Sequence, residues 1–174
     1  DLGILYTADA LAREDNFNAY IHSDASNFLE AEEQWYRWSY TGVITSEAIE
    51  KRLSERYATR PDLILTRKNK QNEFTNTPIQ NVEKITDIKI MKRLDGGVAD
   101  ELLIETEGND YLVIGEYNIR YVLSDGVSEI VRNDGSVVTV SNLLPSAYFI
   151  IEPESLSSET VETITLTGGG YGHG

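Results

Sequence analysis

The sequence predicts an α+β fold, with helices early in the chain and an antiparallel, β-rich body later. Three observations carry this. Apolar residues recur at helical spacing over Thr45–Tyr57. From residue 84 onward they alternate at strand period. Turn signals punctuate the later half: Asp95-Gly96-Gly97, Glu107-Gly108-Asn109-Asp110 and Asn133-Asp134-Gly135.

The elements follow in order. Phe17, Tyr20 and Ile21 stand at i, i+3 and i+4, with Asp15 in N-cap position, which predicts a first helix. An acidic stretch follows from Ser26 to Glu33. Tyr36, Trp38 and Tyr40 then alternate with Arg37 and Ser39, as a strand requires. Thr45 is placed to cap the clearest helix. Its Glu47 and Glu50 suit the positive end of the helix dipole, and Lys51, Arg52 and Arg56 suit the negative end. Ile49, Leu53 and Tyr57 form its apolar stripe, and Pro61 marks its stop.

Residues 66–81 read as a polar loop. Strands are expected over 84–93, 98–106 and 111–115, then a short helix over Asn118–Leu123. Further strands are expected over Glu129–Arg132, Ser136–Val140, Tyr148–Glu152 and Glu162–Thr167. The chain is expected to form one domain over 1–174, with a polar helical lead-in over 1–34 and the β-rich body over 84–174.

Composition excludes several chemistries. There is no Cys, so disulfides and Cys-ligated metal sites are excluded. His22 and His173 are the only imidazoles, too few for a multi-His metal site in one chain. Lys and Arg number 15 against 29 Asp and Glu, a net charge of −14, which argues against a nucleic-acid binder. Lys51, Arg52, Arg56, Arg60, Arg67, Lys68 and Lys70 make a local basic zone, either a solvated face or an anion site. No apolar run reaches the ~18–20 residues of a membrane span. No cofactor is expected. Asp1 opens the chain and Gly168-Gly169-Gly170-Tyr171-Gly172-His173-Gly174 closes it, so the chain is expected to be a piece of something larger, or one relieved of a signal peptide.

Two groups of residues invite a functional reading. Trp35, Tyr36 and Trp38 could stack on sugar faces with Arg37 holding a polar group; core packing is the competing reading. His173 could act as a base, or brace a tight turn through a carbonyl. The acids lie in polar runs or on the wet face of a strand, as with Glu101 and Glu105, so none stands out as a buried general acid.

Four stretches, in order, resemble the C-terminal part of the SpoIID/LytB family, the stage II sporulation protein D and amidase-enhancer group. Ile85–Gly97 is similar to that family's strand leading into a Gly-containing turn. Glu116-Tyr117-Asn118-Ile119-Arg120-Tyr121-Val122-Leu123 is similar to its helix with a central Ile-Arg. Leu143-Leu144-Pro145-Ser146-Ala147-Tyr148-Phe149 resembles its Leu-Pro-Ser-aromatic segment, and Gly168–Gly174 resembles the first half of its Gly-rich Tyr-Gly-His motif. Upstream, Trp35-Tyr36-Arg37-Trp38 and the capped helix after it also match.

The resemblance implies a cell-envelope, extracytoplasmic protein acting on peptidoglycan. SpoIID-type members are lytic transglycosylases, which cleave between N-acetylmuramic acid and N-acetylglucosamine without water, one Glu serving as acid and then base. LytB-type members enhance a cell-wall amidase. The family's Ser-Glu-Met-Pro-like catalytic motif has no counterpart here: Ser46-Glu47 is followed by Ala48-Ile49 and opens a helix. No catalytic residue is therefore assigned. The expectation is a SpoIID-like fragment that engages glycan strands, with an amidase as a second partner, and is non-catalytic alone. The alternatives are an amidase enhancer, or a glycan-binding or structural module. Arg120, Tyr171 and His173 match motif positions and, with Trp38, are the candidate substrate-binding residues.

Overall fold

A computed structural model describes residues 7–23, 34–156 and 161–171. The acidic stretch Ser26–Glu33 and the end of the Gly-rich motif, including His173, lie outside the described residues.

The architecture is α+β, as the periodicities predict. Two short helices open it, α1 (Ala8–Leu11) and α2 (Glu14–Ile21). Strand β1 (Trp38–Val43) leads to helix α3 (Ser46–Thr59) and the short strand β2 (Ile64–Arg67). A meander follows: β3 (Ile85–Arg93), β4 (Ala99–Thr106) and β5 (Asp110–Ile114). Helix α4 (Glu116–Leu123) precedes the hairpin β6 (Val127–Arg132) and β7 (Val137–Ser141). The last strands are β8 (Phe149–Ile151) and β9 (Thr163–Gly168).

The strands form two sheets with antiparallel pairing, in the orders β7-β6-β1-β9-β8 and β2-β5-β4-β3. One hydrophobic cluster runs through both sheets and the helices α3 and α4. It joins Trp38 and Leu166 of the first sheet, Leu102 and Val113 of the second, and Leu53 and Ile119 of the helices. A smaller cluster of Phe17, Ile21 and Ile150 seats α2 on β8.

Local sequence explains the helices. Thr45 caps α3 by accepting the Ala48 amide at 3.1 Å, a contact worth about 1 kcal/mol. Ile49 and Leu53 are its buried residues, and Pro61 starts a 3₁₀ turn at its end. At α2 the expected cap is displaced. The helix starts at Glu14 after Arg13, which makes no side-chain cap, and Asp15 lies inside the first turn. A tertiary contact holds that end instead. The Arg93 side chain, 1 % exposed, pairs with Glu14 at 2.5 Å, and its guanidinium sits 3.9 Å from the Phe17 ring centroid. Phe17 in turn covers Gly97, where a Cβ would come within 2.3 Å of the ring.

Strand β2 is the element that the residue pattern misses. It is four residues long, its Thr66 and Arg67 are polar, and its pairing partner β5 lies over forty positions away. The expected strand beginning at Tyr36 starts two residues later, at Trp38.

Candidate functional site

The pairing of β1 with β9 brings the Trp35–Trp38 segment and the Gly-rich motif together. In that ladder Trp38 stands opposite Gly168. The ring lies where a Gly168 side chain would project, 2.3 Å from an ideal Cβ. Beyond the strand, Gly169 donates to the Tyr148 carbonyl at 2.9 Å and Gly170 donates to the Trp35 carbonyl at 2.8 Å. Ser146, fully buried, donates to the Gly169 carbonyl at 2.6 Å. Gly170 has φ of 76°, a backbone conformation that glycine adopts freely. The Leu-Pro-Ser-aromatic segment and the Gly-rich run, over twenty residues apart, therefore form one hydrogen-bonded structure.

Arg37 ties this structure to α2. Its guanidinium donates to the carbonyls of Ile21 (3.0 Å), Tyr20 (3.0 Å) and Tyr36 (2.9 Å), and lies over the rings of Tyr36 and Tyr20 at 4.1 and 4.8 Å. The terminal carbonyls of α2 are thereby satisfied by a cation, the charge that end of a helix favours.

These contacts bound an open cleft of about 440 Å³. Trp35 and Tyr171 form one wall, their ring centroids 4.6 Å apart and tilted by 33°. Tyr20 and Tyr148 contribute further ring surface. Tyr171 is 61 % exposed, so much of its surface is open to a ligand. The Arg132 guanidinium lies 5.4 Å from the Trp35 centroid, so the indole also carries a cation–π contact. Burial pushes the Tyr148 phenol above its usual pKa, and Glu116 and Tyr20 add to the effect.

Chemically, the cleft offers aromatic surface, tyrosine phenols and the Arg37 guanidinium. Its described lining includes no carboxyl and no imidazole. His22 is the one imidazole among the described residues. It pairs with Glu152 at 3.0 Å, and Thr167 donates to the same carboxyl at 2.7 Å; neither His22 nor Glu152 lines the cleft.

The sequence candidates separate. Tyr171 lines the cleft. Trp38 does not: it is 2 % exposed and packs against Phe149 at a centroid distance of 6.3 Å. Arg120 does not line it either. It is 7 % exposed, and its guanidinium donates to the carbonyls of Leu144 (2.9 Å) and Pro145 (3.2 Å), with Glu116 at 3.5 Å. Arg120 therefore holds the Leu-Pro-Ser segment in place beneath the Gly-rich run. His173 lies outside the described residues. Sequence reasoning missed Tyr20 and Tyr148, which reach the cleft from distant elements.

The sequence matches the family described as a domain of unknown function, DUF8618, over residues 5–174. The chain belongs to the DUF8618 family. No curated protein and no solved structure matches it. Among the described residues of this DUF8618 chain, no helix is long and apolar enough to cross a membrane. No cluster of three or more His, Asp or Glu side chains that could hold a metal is found among them.

Proposed function

We propose that this chain is the glycan-holding part of a SpoIID-like peptidoglycan lytic transglycosylase of the cell envelope, and that alone it binds strands of N-acetylmuramic acid and N-acetylglucosamine without cleaving them. The observation that carries the reading is the Trp35–Tyr171 pair, which walls an open cleft beside the Gly-Gly-Gly-Tyr motif. Sugar rings present apolar C–H faces, and flat aromatic side chains are the surfaces that pack against them. The tyrosine hydroxyl of Tyr148 and the guanidinium edge of Arg37, both in the lining, provide polar groups beside that surface.

The motif order supports the choice of glycan. The Leu-Pro-Ser segment, the Ile-Arg helix and the Gly-rich run all converge on the support of this cleft, through Ser146 and Arg120. The non-catalytic part of the reading rests on the sequence: the Ser-Glu-Met-Pro-like motif that carries the acid in the SpoIID/LytB family has no counterpart in this chain.

The test is incubation of the purified chain with peptide-stripped glycan strands. Co-sedimentation is measured, and the strands are then analysed by mass spectrometry. The expected result is retention of the protein on the strands with no gain in anhydro-ended products. Accumulation of anhydro ends would contradict the non-catalytic reading. Failure to co-sediment, with stimulation of an added wall amidase, would replace glycan binding by the enhancer role.

A further inference from the structure

An edge strand offers its outward backbone groups to another chain, and the two sheets end on β7, β8, β2 and β3. Three of these edges are blocked. At β8 the Phe149 carbonyl accepts from Arg93 at 2.8 Å, α2 packs against Ile150, and Pro153 follows the end of the strand. At β2, Thr66 exchanges backbone hydrogen bonds of 2.9 and 2.8 Å with Thr75. At β3 the Ile85 carbonyl accepts the Val161 amide at 2.9 Å, and the Asp87 carboxylate accepts the Ile88 amide at 2.9 Å. Register shifts interrupt that strand, and Lys89 and Lys92 stand on it. Strand β7 has none of these devices. Val137-Val138-Thr139-Val140-Ser141 carries no charge and no proline, and its pairing with β6 runs without a shift.

The register shows which groups β7 leaves open. Arg132 donates to the Ser136 carbonyl at 2.8 Å at one end of the hairpin, and Asn142 donates to the Gly126 carbonyl at 2.9 Å at the other. Hydrogen-bonded pairs alternate along an antiparallel ladder, so Val138 and Val140 turn their backbone toward β6, and Val137, Thr139 and Ser141 turn theirs outward. Of these outward groups, the Ser141 carbonyl alone has a partner among the described residues, the Leu143 amide at 2.8 Å.

This edge is its own complement. Laid antiparallel against a second β7, Thr139 meets Thr139, Val137 meets Ser141 and Val138 meets Val140, and outward amides face outward carbonyls. Val138 and Val140 already pack against the core, so the seam extends an apolar layer. It also covers part of Val137, which is 60 % exposed. No charged side chain on β7 selects a charged partner. Glu129 stands across from Thr139, which sets the two copies' carboxylates three strand spacings apart, about 14 Å and beyond the Debye length at 0.1 M salt. With one open edge per chain among the described strands, the pairing closes at two copies. We propose that β7 pairs with β7 of a second copy about a twofold axis at Thr139, joining two five-stranded sheets into one. The proposal is independent of the Trp35–Tyr171 cleft and of any role in peptidoglycan.

The experiment is sedimentation velocity of the purified chain over a concentration series, at low and at raised sodium chloride. A monomer–dimer equilibrium is expected, strengthened by salt because each copy carries a net charge of −14. Thr139→Lys sets two like charges face to face at the axis and should weaken the dimer about tenfold. The new lysine lies across from Glu129 on β6, so the thermal midpoint should hold. Thr163→Lys, exposed on β9 of the same sheet, should leave the dimer intact. The chain has no Cys, so Thr139→Cys introduces a single thiol. Mild oxidation should link it into a covalent dimer, whereas Val43→Cys, 58 % exposed but on the interior strand β1, should not cross-link. A monomer at every concentration, assembly beyond two copies or a dimer that salt weakens would overturn the pairing. So would a dimer that survives Thr139→Lys, or equal cross-linking of Thr139→Cys and Val43→Cys.

Discussion

Gly168 faces Trp38 across the β1–β9 ladder, and the indole lies where any side chain at 168 would project. The first glycine of the Gly-rich motif is thus a packing residue, and the motif's later residues do the reaching. Gly168→Ala would place a Cβ 2.3 Å from the indole and 2.6 Å from the Tyr148 carbonyl oxygen, which is backbone and cannot swing aside. It should destabilise the fold by about 1–3 kcal/mol, the usual cost of overpacking, measurable by urea denaturation. It should also shift the Tyr171 environment, because Gly169 and Gly170 lead directly to it.

The two tryptophans should behave oppositely. Trp38→Ala removes a fully enclosed indole and should cost roughly 3–5 kcal/mol of stability. Trp35→Ala removes a half-buried ring from the wall of an open cleft. Its stability cost should be about 1 kcal/mol, the scale of an aromatic pair contact. Thermal melts of both variants test this ordering; equal losses would show that Trp35 also belongs to the core.

Arg93 should prove the main tether of α2. Its enclosed guanidinium is shared by Glu14, the Gly97 carbonyl at 2.9 Å and the Phe149 carbonyl at 2.8 Å. Arg93→Ala should cost about 3 kcal/mol, since it strands those acceptors and strips the face of Phe17. Native-state hydrogen exchange should show the amides of α2 losing protection first.

Two buried groups set the pH limits. Burial pushes the Asp110 carboxyl up, but hydrogen bonds and charges from Lys70 and Arg67 outweigh it and hold the carboxyl below its usual range. A depressed folded pKa stabilises above the unfolded value, and the contribution disappears as pH falls through the folded value. Stability should therefore fall below about pH 4, and Asp110→Asn should flatten that limb. At the alkaline side, burial pushes Tyr40 up to about 12, with Asp125 adding and the Ser128 hydroxyl opposing. A raised folded pKa stabilises below the unfolded value of about 10. That contribution is lost as pH rises toward 12, so tyrosinate absorbance and loss of structure should appear together in that window.

Much of the fold was legible because its signals are local. The Thr45 cap, the stripe of Ile49 and Leu53, and the turn around Asn133-Asp134-Gly135 each act within a few residues. The site was harder, for a physical reason. Trp38 and Tyr40 lie on one face of β1 and are buried. Trp35, Tyr36 and Arg37 precede the strand in a turn and border the cleft, so strand alternation does not sort them. Nothing local could have placed Tyr20 and Tyr148 beside them, since a helix end and a loop over a hundred residues apart meet there only through tertiary packing. Arg120, drawn from a motif position, holds carbonyls rather than a ligand, a role that depends on a segment over twenty residues away.

The most direct test is calorimetric titration of peptide-stripped glycan strands into the wild-type chain and into Trp35→Ala, at matched folded fraction. Loss of one stacking wall should weaken binding about tenfold while the melting temperature moves little. Unchanged affinity in the Trp35→Ala variant, or no binding by the wild-type chain, would contradict the assignment of this cleft to glycan.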